Sequence, residues 1–211
     1  MGQSTITRPG LFAVCLAVAM AAFAAAGWSL WDLRSHLLAE PMVVAVDRAA
    51  LPAALEDAPY IASGDGADVW VLVTPDCPKC RALENGTVAR LVEAGVDVRL
   101  VIVAPRGADF DDATLVRVAG LAAERDWDVY LKCFTQAAAT CQPRALEPAA
   151  REGYLEWGRA AIDRVAAVAD ANDSKLTYPA IFWRRGKEWR AIMGADPRGL
   201  GHLTRDFDLN S

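Results

Sequence analysis

An apolar run of five residues, VWVLV at 69–73, leads within four residues into two cysteines with the spacing C-x-x-C. A continuous apolar run rich in valine is typical of a strand buried on both faces. After the cysteines, apolar side chains recur at helical spacing until Gly95, a typical residue to end a helix. Cys77 and Cys80 are therefore predicted to lie at a strand-to-helix turn, and this segment restricts the fold more than any other.

The residues around the cysteine pair favour an ionised first thiol. Cys77 is predicted near the helix N-cap, with Pro78 at the first helical position, where a missing N–H costs nothing. Free N–H groups and the helix dipole lower the pKa of the first cysteine in such motifs from about 8.5 to roughly 3.5–7. Lys79 acts in the same direction and Asp76 opposes it. Cys80 lies deeper in the predicted helix, so an exposed attacking thiol is combined with a shielded resolving thiol, as reversible exchange requires.

The same spacing also has structural uses. A permanent disulfide between Cys77 and Cys80 closes a very small loop and constrains the unfolded chain little. Zinc needs four ligands, usually as two close pairs. The other candidate pair, Cys133 and Cys141, has seven residues between its members. We therefore expect no metal site, and a zinc-binding protein that uses these four cysteines stays open as an alternative.

The N-terminus carries an export signal. Residues 11–31 contain no charged side chain, and about 20 apolar residues span a bilayer core. They are predicted to form a transmembrane anchor, or else a signal sequence cleaved after AFAAA at 22–26. Residues 1–10 then form a cytoplasmic tail and residues 32–41 a stalk. A retained anchor predicts a single-pass inner-membrane protein with its domain in the periplasm, whereas cleavage predicts secretion to the periplasm.

Two further properties of the sequence limit the possible functions: the position of the cysteines relative to the apolar span, and the net charge. Four of the five cysteines lie beyond the apolar span, in a compartment where disulfides persist, and only Cys15 lies within it. The net charge of −5 argues against a nucleic-acid partner, which favours a basic surface.

Elements of an α/β fold follow in a regular order. Strand patterns at 42–46 and 96–105 flank the cysteine segment, and a helical, alanine-rich stretch occupies about 109–172. A hairpin is predicted over 180–193, followed by a closing helix at 196–208. The strand–helix–strand order around the cysteines implies parallel pairing through a right-handed crossover.

Tyr178 and Pro179 precede the hairpin, with Pro179 standing 99 residues after Cys80. The order of strand, C-x-x-C helix, strand, helical insertion, x-Pro, hairpin and helix resembles the thioredoxin fold. More narrowly, it resembles the exported disulfide oxidoreductases of the DsbA, DsbC and DsbG type. The resemblance covers residues 42–208, with the helical insertion inside it. Cys77-Pro78-Lys79-Cys80 and Tyr178-Pro179 are its motifs.

This resemblance implies roles for the motif residues. Cys77 matches the nucleophile that forms a mixed disulfide, and Cys80 matches the resolving thiol. Pro179 matches the cis-proline that faces the two sulfurs. Tyr178 matches the residue that adjusts the reduction potential of the cysteine pair in this family. The implied activity needs no cofactor. The implied partners are protein substrates with cysteines or disulfides and a thiol–disulfide redox partner, either soluble or membrane-bound.

Departures from the family pattern narrow the expected activity. The stretch before the domain is too short for the dimerisation domain of DsbC-like isomerases. Thioredoxin-like reductases usually carry tryptophan before the first cysteine and a buried aspartate in the preceding strand, whereas this chain has Asp76 and the acid-free run 69–73. An oxidase or isomerase is therefore favoured over a reductase. A non-catalytic thioredoxin-fold assembly factor stays open as an alternative.

Cys133 and Cys141 fall in the helical insertion. DsbC-like proteins hold a second, structural disulfide there, so the resemblance implies a structural bond between these two residues. An accessory redox pair and two free thiols are the alternatives.

Overall fold

The computed structural model describes residues 20, 41–44, 49–66, 68–135, 141, 143–194 and 197–209. The chain divides into two compact units, Met1–Ala39 and Glu40–Ser211, and the strands and helices given below lie in the second. The predicted tail, apolar span and stalk lie outside the described residues, apart from Met20 and Pro41. Within the described part of the chain, no helix is both long and apolar enough to cross a membrane.

A mixed six-stranded sheet forms the centre of the second unit. Its strands lie side by side in the order β1-β6-β5-β3-β4-β2. Strands β3 and β4 are parallel, and the other neighbouring pairs are antiparallel. The strands are β1 Met42–Val43, β2 Tyr60–Ala62, β3 Val69–Val73, β4 Val98–Ile102, β5 Ala180–Arg185 and β6 Glu188–Met193.

The helices connect the strands as the periodicity predicts. One helical stretch links β3 to β4 as α2, a π-helical turn at Glu84–Val88, and α3. Among the described residues between β4 and β5 lie three further helices, α4 to α6. The helices are α1 Ala50–Glu56, α2 Pro78–Leu83, α3 Ala89–Glu93, α4 Asp112–Glu124, α5 Trp127–Thr135, α6 Pro148–Asp170 and α7 Pro197–Asp206.

Strand β3 separates two apolar cores, one on each face of the sheet. All five of its side chains are buried, as the continuous apolar run predicts. Val69, Val71 and Val73 join a core that also contains Cys80 and residues of α3, α4 and α5. Trp70 and Leu72 point to the opposite core, beneath α1 and α6. The cysteine helix thus begins directly at the end of the most buried strand.

Asp206 links helix α7 to the hairpin formed by β5 and β6, and its side chain is only 5% exposed. Its carboxylate accepts a hydrogen bond from Trp183 Nε1 at 2.9 Å. It also pairs with Arg185 Nη1 at 2.7 Å and Arg190 Nη1 at 3.1 Å. Three donors therefore compensate a carboxylate that has lost most of its hydration.

Candidate active site

Cys77 is the N-cap of α2. Its backbone is extended, with φ −88° and ψ 109°, and its Sγ accepts a hydrogen bond from the Cys80 N–H at 3.2 Å. Pro78 occupies the first helical turn, where it has no N–H to leave unpaired. The Arg81 N–H donates to the Cys77 carbonyl at 3.1 Å, which closes the first turn. A backbone donor is therefore aimed at the sulfur, an arrangement that favours a negative charge on it.

The two cysteines differ in burial. Cys77 is half-buried, whereas Cys80 has no exposed surface and belongs to the apolar core. They form a disulfide, with their Cα atoms 5.2 Å apart. Pro78 and Lys79, between them, are exposed. A reagent or protein that approaches from solvent therefore meets the Cys77 sulfur and not the Cys80 sulfur.

Asp76, directly before Cys77, has a left-handed backbone with φ 57°. Its Oδ1 lies 3.4 Å from Arg81 Nη2 and 3.8 Å from Arg117 Nη2. The sequence predicts Asp76 and Lys79 as modulating charges, whereas neither arginine was expected at the site. Arg81 follows the motif by one residue and could have been found, whereas Arg117 comes from α4 and no local pattern predicts its approach.

Tyr178 and Pro179 lie at the same end of the sheet as the cysteines. The peptide bond between them is cis. Ala180 pairs with Leu72 near the end of β3, so the start of β5 lies beside the strand that leads to Cys77. Pro179 is buried, and its carbonyl accepts a hydrogen bond from the Gly194 N–H at 2.8 Å.

Tyr178, the residue before this proline, packs against the same apolar core as the cysteine helix. Tyr178 and Cys77 both pack against the apolar cluster that contains Cys80. Burial raises the pKa of Tyr178 to about 12, with the Asp163 carboxylate acting in the same direction. The phenol is therefore a neutral hydrogen-bonding group across the physiological range.

Glu84 is a buried acid that was not among the site residues predicted from the sequence. It follows Cys80 by one helical turn and is only 7% exposed. Burial raises the pKa of Glu84 to about 7, although the nearby Tyr130 hydroxyl and the charge of Arg81 act in the opposite direction. The i, i+4 spacing from Cys80 places both residues on one helix face, and this was the available signal.

Cys133, in the last turn of α5, is bonded to Cys141, with their Cα atoms 4.3 Å apart. The zinc alternative needs all four thiols together, and the structure instead pairs them as two disulfides. No group of three potential metal ligands occurs within the described residues. His202 lies in α7, and His36 is outside the described part of the chain.

A comparison with solved structures decides the fold. A periplasmic thioredoxin-like protein from Salmonella enterica serovar Typhimurium aligns with 77% of this chain and 98% of its own, with 18% identity and a TM-score of 0.50. The domain has a thioredoxin-like fold. This confirms the fold expected from the order of motifs, and at this identity it establishes the fold alone.

Two further solved structures align with this chain at lower TM-scores. Salmonella enterica Typhimurium BcfH has 16% identity and a TM-score of 0.44, with 95% of this chain and 93% of that chain covered. The catalytic domain of Proteus mirabilis ScsC has 16% identity and a TM-score of 0.43, with 78% and 99% covered. No family model matches the sequence, and no curated protein matches it.

Proposed function

We propose that the chain is a thiol–disulfide oxidoreductase that exchanges disulfides with other proteins through Cys77 and Cys80. The observation that carries this proposal is the asymmetry of the pair. The half-buried Cys77 sulfur accepts an N–H from the first helical turn, whereas the Cys80 sulfur is shielded. Exchange requires one sulfur to meet the substrate and a second to resolve the mixed disulfide, and this pair supplies both.

In the oxidising direction, a substrate thiolate attacks Cys77 Sγ of the Cys77–Cys80 disulfide. The bond between the two cysteines breaks, and Cys80 leaves as the thiol after protonation. A second substrate thiolate then attacks the substrate sulfur of the mixed disulfide, and Cys77 leaves as a thiolate that the helix end stabilises. The substrate loses two electrons and the cysteine pair gains them. The reverse sequence reduces a substrate disulfide.

In this proposal, Tyr178 and Pro179 form the surface that a substrate peptide contacts. Support comes from their position at the end of the sheet beside the segment that leads to Cys77. An extended peptide beside this backbone would be recognised by strand addition, which depends little on side-chain identity. The reduction potential of the Cys77–Cys80 pair is adjusted by the charges of Asp76 and Lys79 and by the effect of Pro78 on the helix.

We assign the oxidase or isomerase direction to the chain, with no organic or metal cofactor. Support comes from Asp76 before the first cysteine and from the apolar character of β3, which contains no acid. Electrons pass to or from a second thiol–disulfide protein, and a membrane-bound partner fits a tethered enzyme. Cys133 and Cys141 serve in this proposal as a structural bond.

The proposed location is the periplasm, with residues 11–31 as a single-pass anchor in the inner membrane. Support comes from the length and apolar composition of that span. The structurally similar Salmonella protein is described as periplasmic. Alkaline extraction of membranes tests the anchor, because a retained span keeps the chain in the pellet whereas a cleaved one releases it.

A trapping experiment tests the activity. Cys80→Ala removes the resolving thiol, so mixed disulfides at Cys77 should accumulate in cells and appear as adducts that a reductant dissolves. Cys77→Ala combined with Cys80→Ala is the matched control and should yield none. Failure to recover any adduct through Cys77 would overturn the proposal. Full function of a Cys77→Ala chain in cells would instead favour a non-catalytic assembly factor.

A further inference from the structure

A cavity of about 280 Å³ lies beside the cysteine helix, and neither Cys77 nor Cys80 lines it. One side is formed by the π-helical turn at Glu84–Val88 together with α3, and the other side by α5. A π-helical turn is rare in proteins and is found frequently at functional positions. The proposed exchange of disulfides assigns no role to this cavity, although the chain departs from regular helix along its wall.

Most of the cavity wall is apolar. Val88, Ala89 and Val92 contribute to one side. Trp127 and Tyr130 contribute to the other, with their ring centroids 5.3 Å apart and their planes inclined by 43°. A concave wall of aliphatic and aromatic side chains that contains only a few polar groups is typical of a small-molecule site.

Glu84 is the buried polar group in this wall. It is only 7% exposed, and its Oε1 has no hydrogen-bond partner within the described part of the chain. The Tyr130 hydroxyl and the charge of Arg81 favour the carboxylate, but burial outweighs them and raises the pKa of Glu84 to about 7. Because an opposite charge favours the ionised form of an acid, a cation in the cavity would supply the missing partner.

The rim of the cavity carries a second acid. Glu93 is exposed there, together with Asn85 and Leu131. Among the described residues that line the cavity, the charged ones are Glu84 and Glu93, so the local field disfavours an anionic ligand. A metal ion is also disfavoured, because no group of three potential metal ligands occurs in the described ranges. The remaining class that fits is an organic cation with an apolar body.

The volume of the cavity limits the size of this cation. An apolar cavity of about 150 Å³ holds benzene, so one of about 280 Å³ holds a single aromatic ring with a short side arm. We propose that the cavity binds a small arylalkylamine, whose ammonium group pairs with the Glu84 carboxylate and whose ring packs against Trp127 and Tyr130. The ammonium donates a charge-assisted hydrogen bond to the carboxylate. This binding is separate from the proposed exchange activity and does not depend on it.

Calorimetric titration of the full-length, oxidised chain with 2-phenylethylamine tests the site. The amine should bind saturably at one site, with a Kd below about 1 mM at about pH 8. The alcohol 2-phenylethanol has nearly the same shape without the charge, and it should bind at least about ten-fold more weakly. Equal affinities for the amine and the alcohol, or no saturation by about 10 mM amine, would overturn the proposal.

The pH dependence of binding tests the role of the carboxylate. An alkylamine stays protonated below about pH 9, whereas Glu84 ionises with a pKa of about 7. The affinity of the wild type for the amine should therefore rise about ten-fold between about pH 6 and about pH 8. Glu84→Gln should weaken binding at about pH 8 at least about ten-fold and remove this rise. Glu188→Gln, in the exposed hairpin, is the matched control and should behave as the wild type.

A second variant tests the cavity while the carboxyl group stays in place. Ala89 lines the cavity and is half-buried, and leucine is a good helix former that fills part of the space for the ring. Ala89→Leu should therefore weaken binding of the amine at least about ten-fold. Unchanged affinity in both Ala89→Leu and Glu84→Gln would mean that the amine binds elsewhere, and would contradict the assignment of this cavity.

Discussion

Asp76 Oδ1 lies 3.8 Å from Arg117 Nη2, so the residue that precedes the cysteine pair contacts helix α4. Arg117 also donates a hydrogen bond to Thr114 Oγ1 at 3.2 Å, and Thr114 is buried. The guanidinium is therefore fixed near the active-site turn by an element that is distant in the sequence. Its charge opposes that of Asp76 at the position where Cys77 must hold a thiolate.

We predict opposite effects for the two members of this ion pair. Arg117→Gln removes a cation near the thiolate, which destabilises the reduced pair and lowers its reduction potential. Asp76→Asn removes an anion and raises the potential, and asparagine tolerates the left-handed backbone at this position. Because the pair is partly exposed, each shift should stay below about 20 mV.

Equilibration with glutathione buffers measures these potentials. Arg184→Gln, on the exposed part of the hairpin, is the matched control and should leave the potential unchanged. Shifts of the same sign in Arg117→Gln and Asp76→Asn would contradict an electrostatic origin.

Removal of the second disulfide should cost stability without affecting exchange. Cys133 and Cys141 are eight positions apart, and closing a loop of that size stabilises a protein by about 2–3 kcal/mol in the chain-entropy model. The double variant Cys133→Ala with Cys141→Ala should therefore lower the free energy of unfolding by about that amount in urea titrations. If stability were unchanged and exchange activity were lost, the pair would be an accessory redox centre and not a structural bond.

The sequence predicted the elements whose signals are local. Strand β3, the cysteine helix and the hairpin follow from a continuous apolar run, a helical repeat and a Gly turn, and each was found near its predicted bounds. Strand β2 was missed because Tyr60–Ala62 has only three residues and owes its conformation to antiparallel pairing with β4.

The candidate site was predictable only in part, for the same reason. The position of Cys77 at the helix N-cap follows from the neighbouring strand and Pro78. Glu84 lines a cavity together with Tyr130 from α5, and the neighbours of Asp76 include Arg117 from α4. These contacts join segments more than thirty residues apart, so no repeat or spacing within one element reveals them.

Loss of the Asp206 carboxylate should destabilise the fold. Asp206→Ala removes the partner of Arg185 and Arg190 and the acceptor for Trp183 Nε1, and leaves partly buried donors unpaired. Breaking a buried charge pair from one side typically costs about 3–5 kcal/mol, and exposure of the arginines places this variant near about 3 kcal/mol. Urea titration of Asp206→Ala measures the loss. Asp109→Ala, at an exposed carboxylate, should change the free energy of unfolding by less than about 0.5 kcal/mol, and equal losses in both variants would contradict the role of the network.

Stability should depend on pH through Glu84. Its pKa is about 7 in the folded chain and 4.5 for the unperturbed group, so the folded state holds the proton over a range in which the unfolded state releases it. The stabilisation is therefore complete below about pH 4.5 and is lost as the pH rises through 7. Glu84→Gln carries no titrating group, so the wild type should lose up to about 3 kcal/mol relative to this variant between about pH 4 and about pH 8. Urea titrations of the oxidised proteins across that range measure the difference. Glu188→Gln should show no such trend, and a pH-independent difference for Glu84→Gln would mean that the carboxyl group titrates as if it were in water.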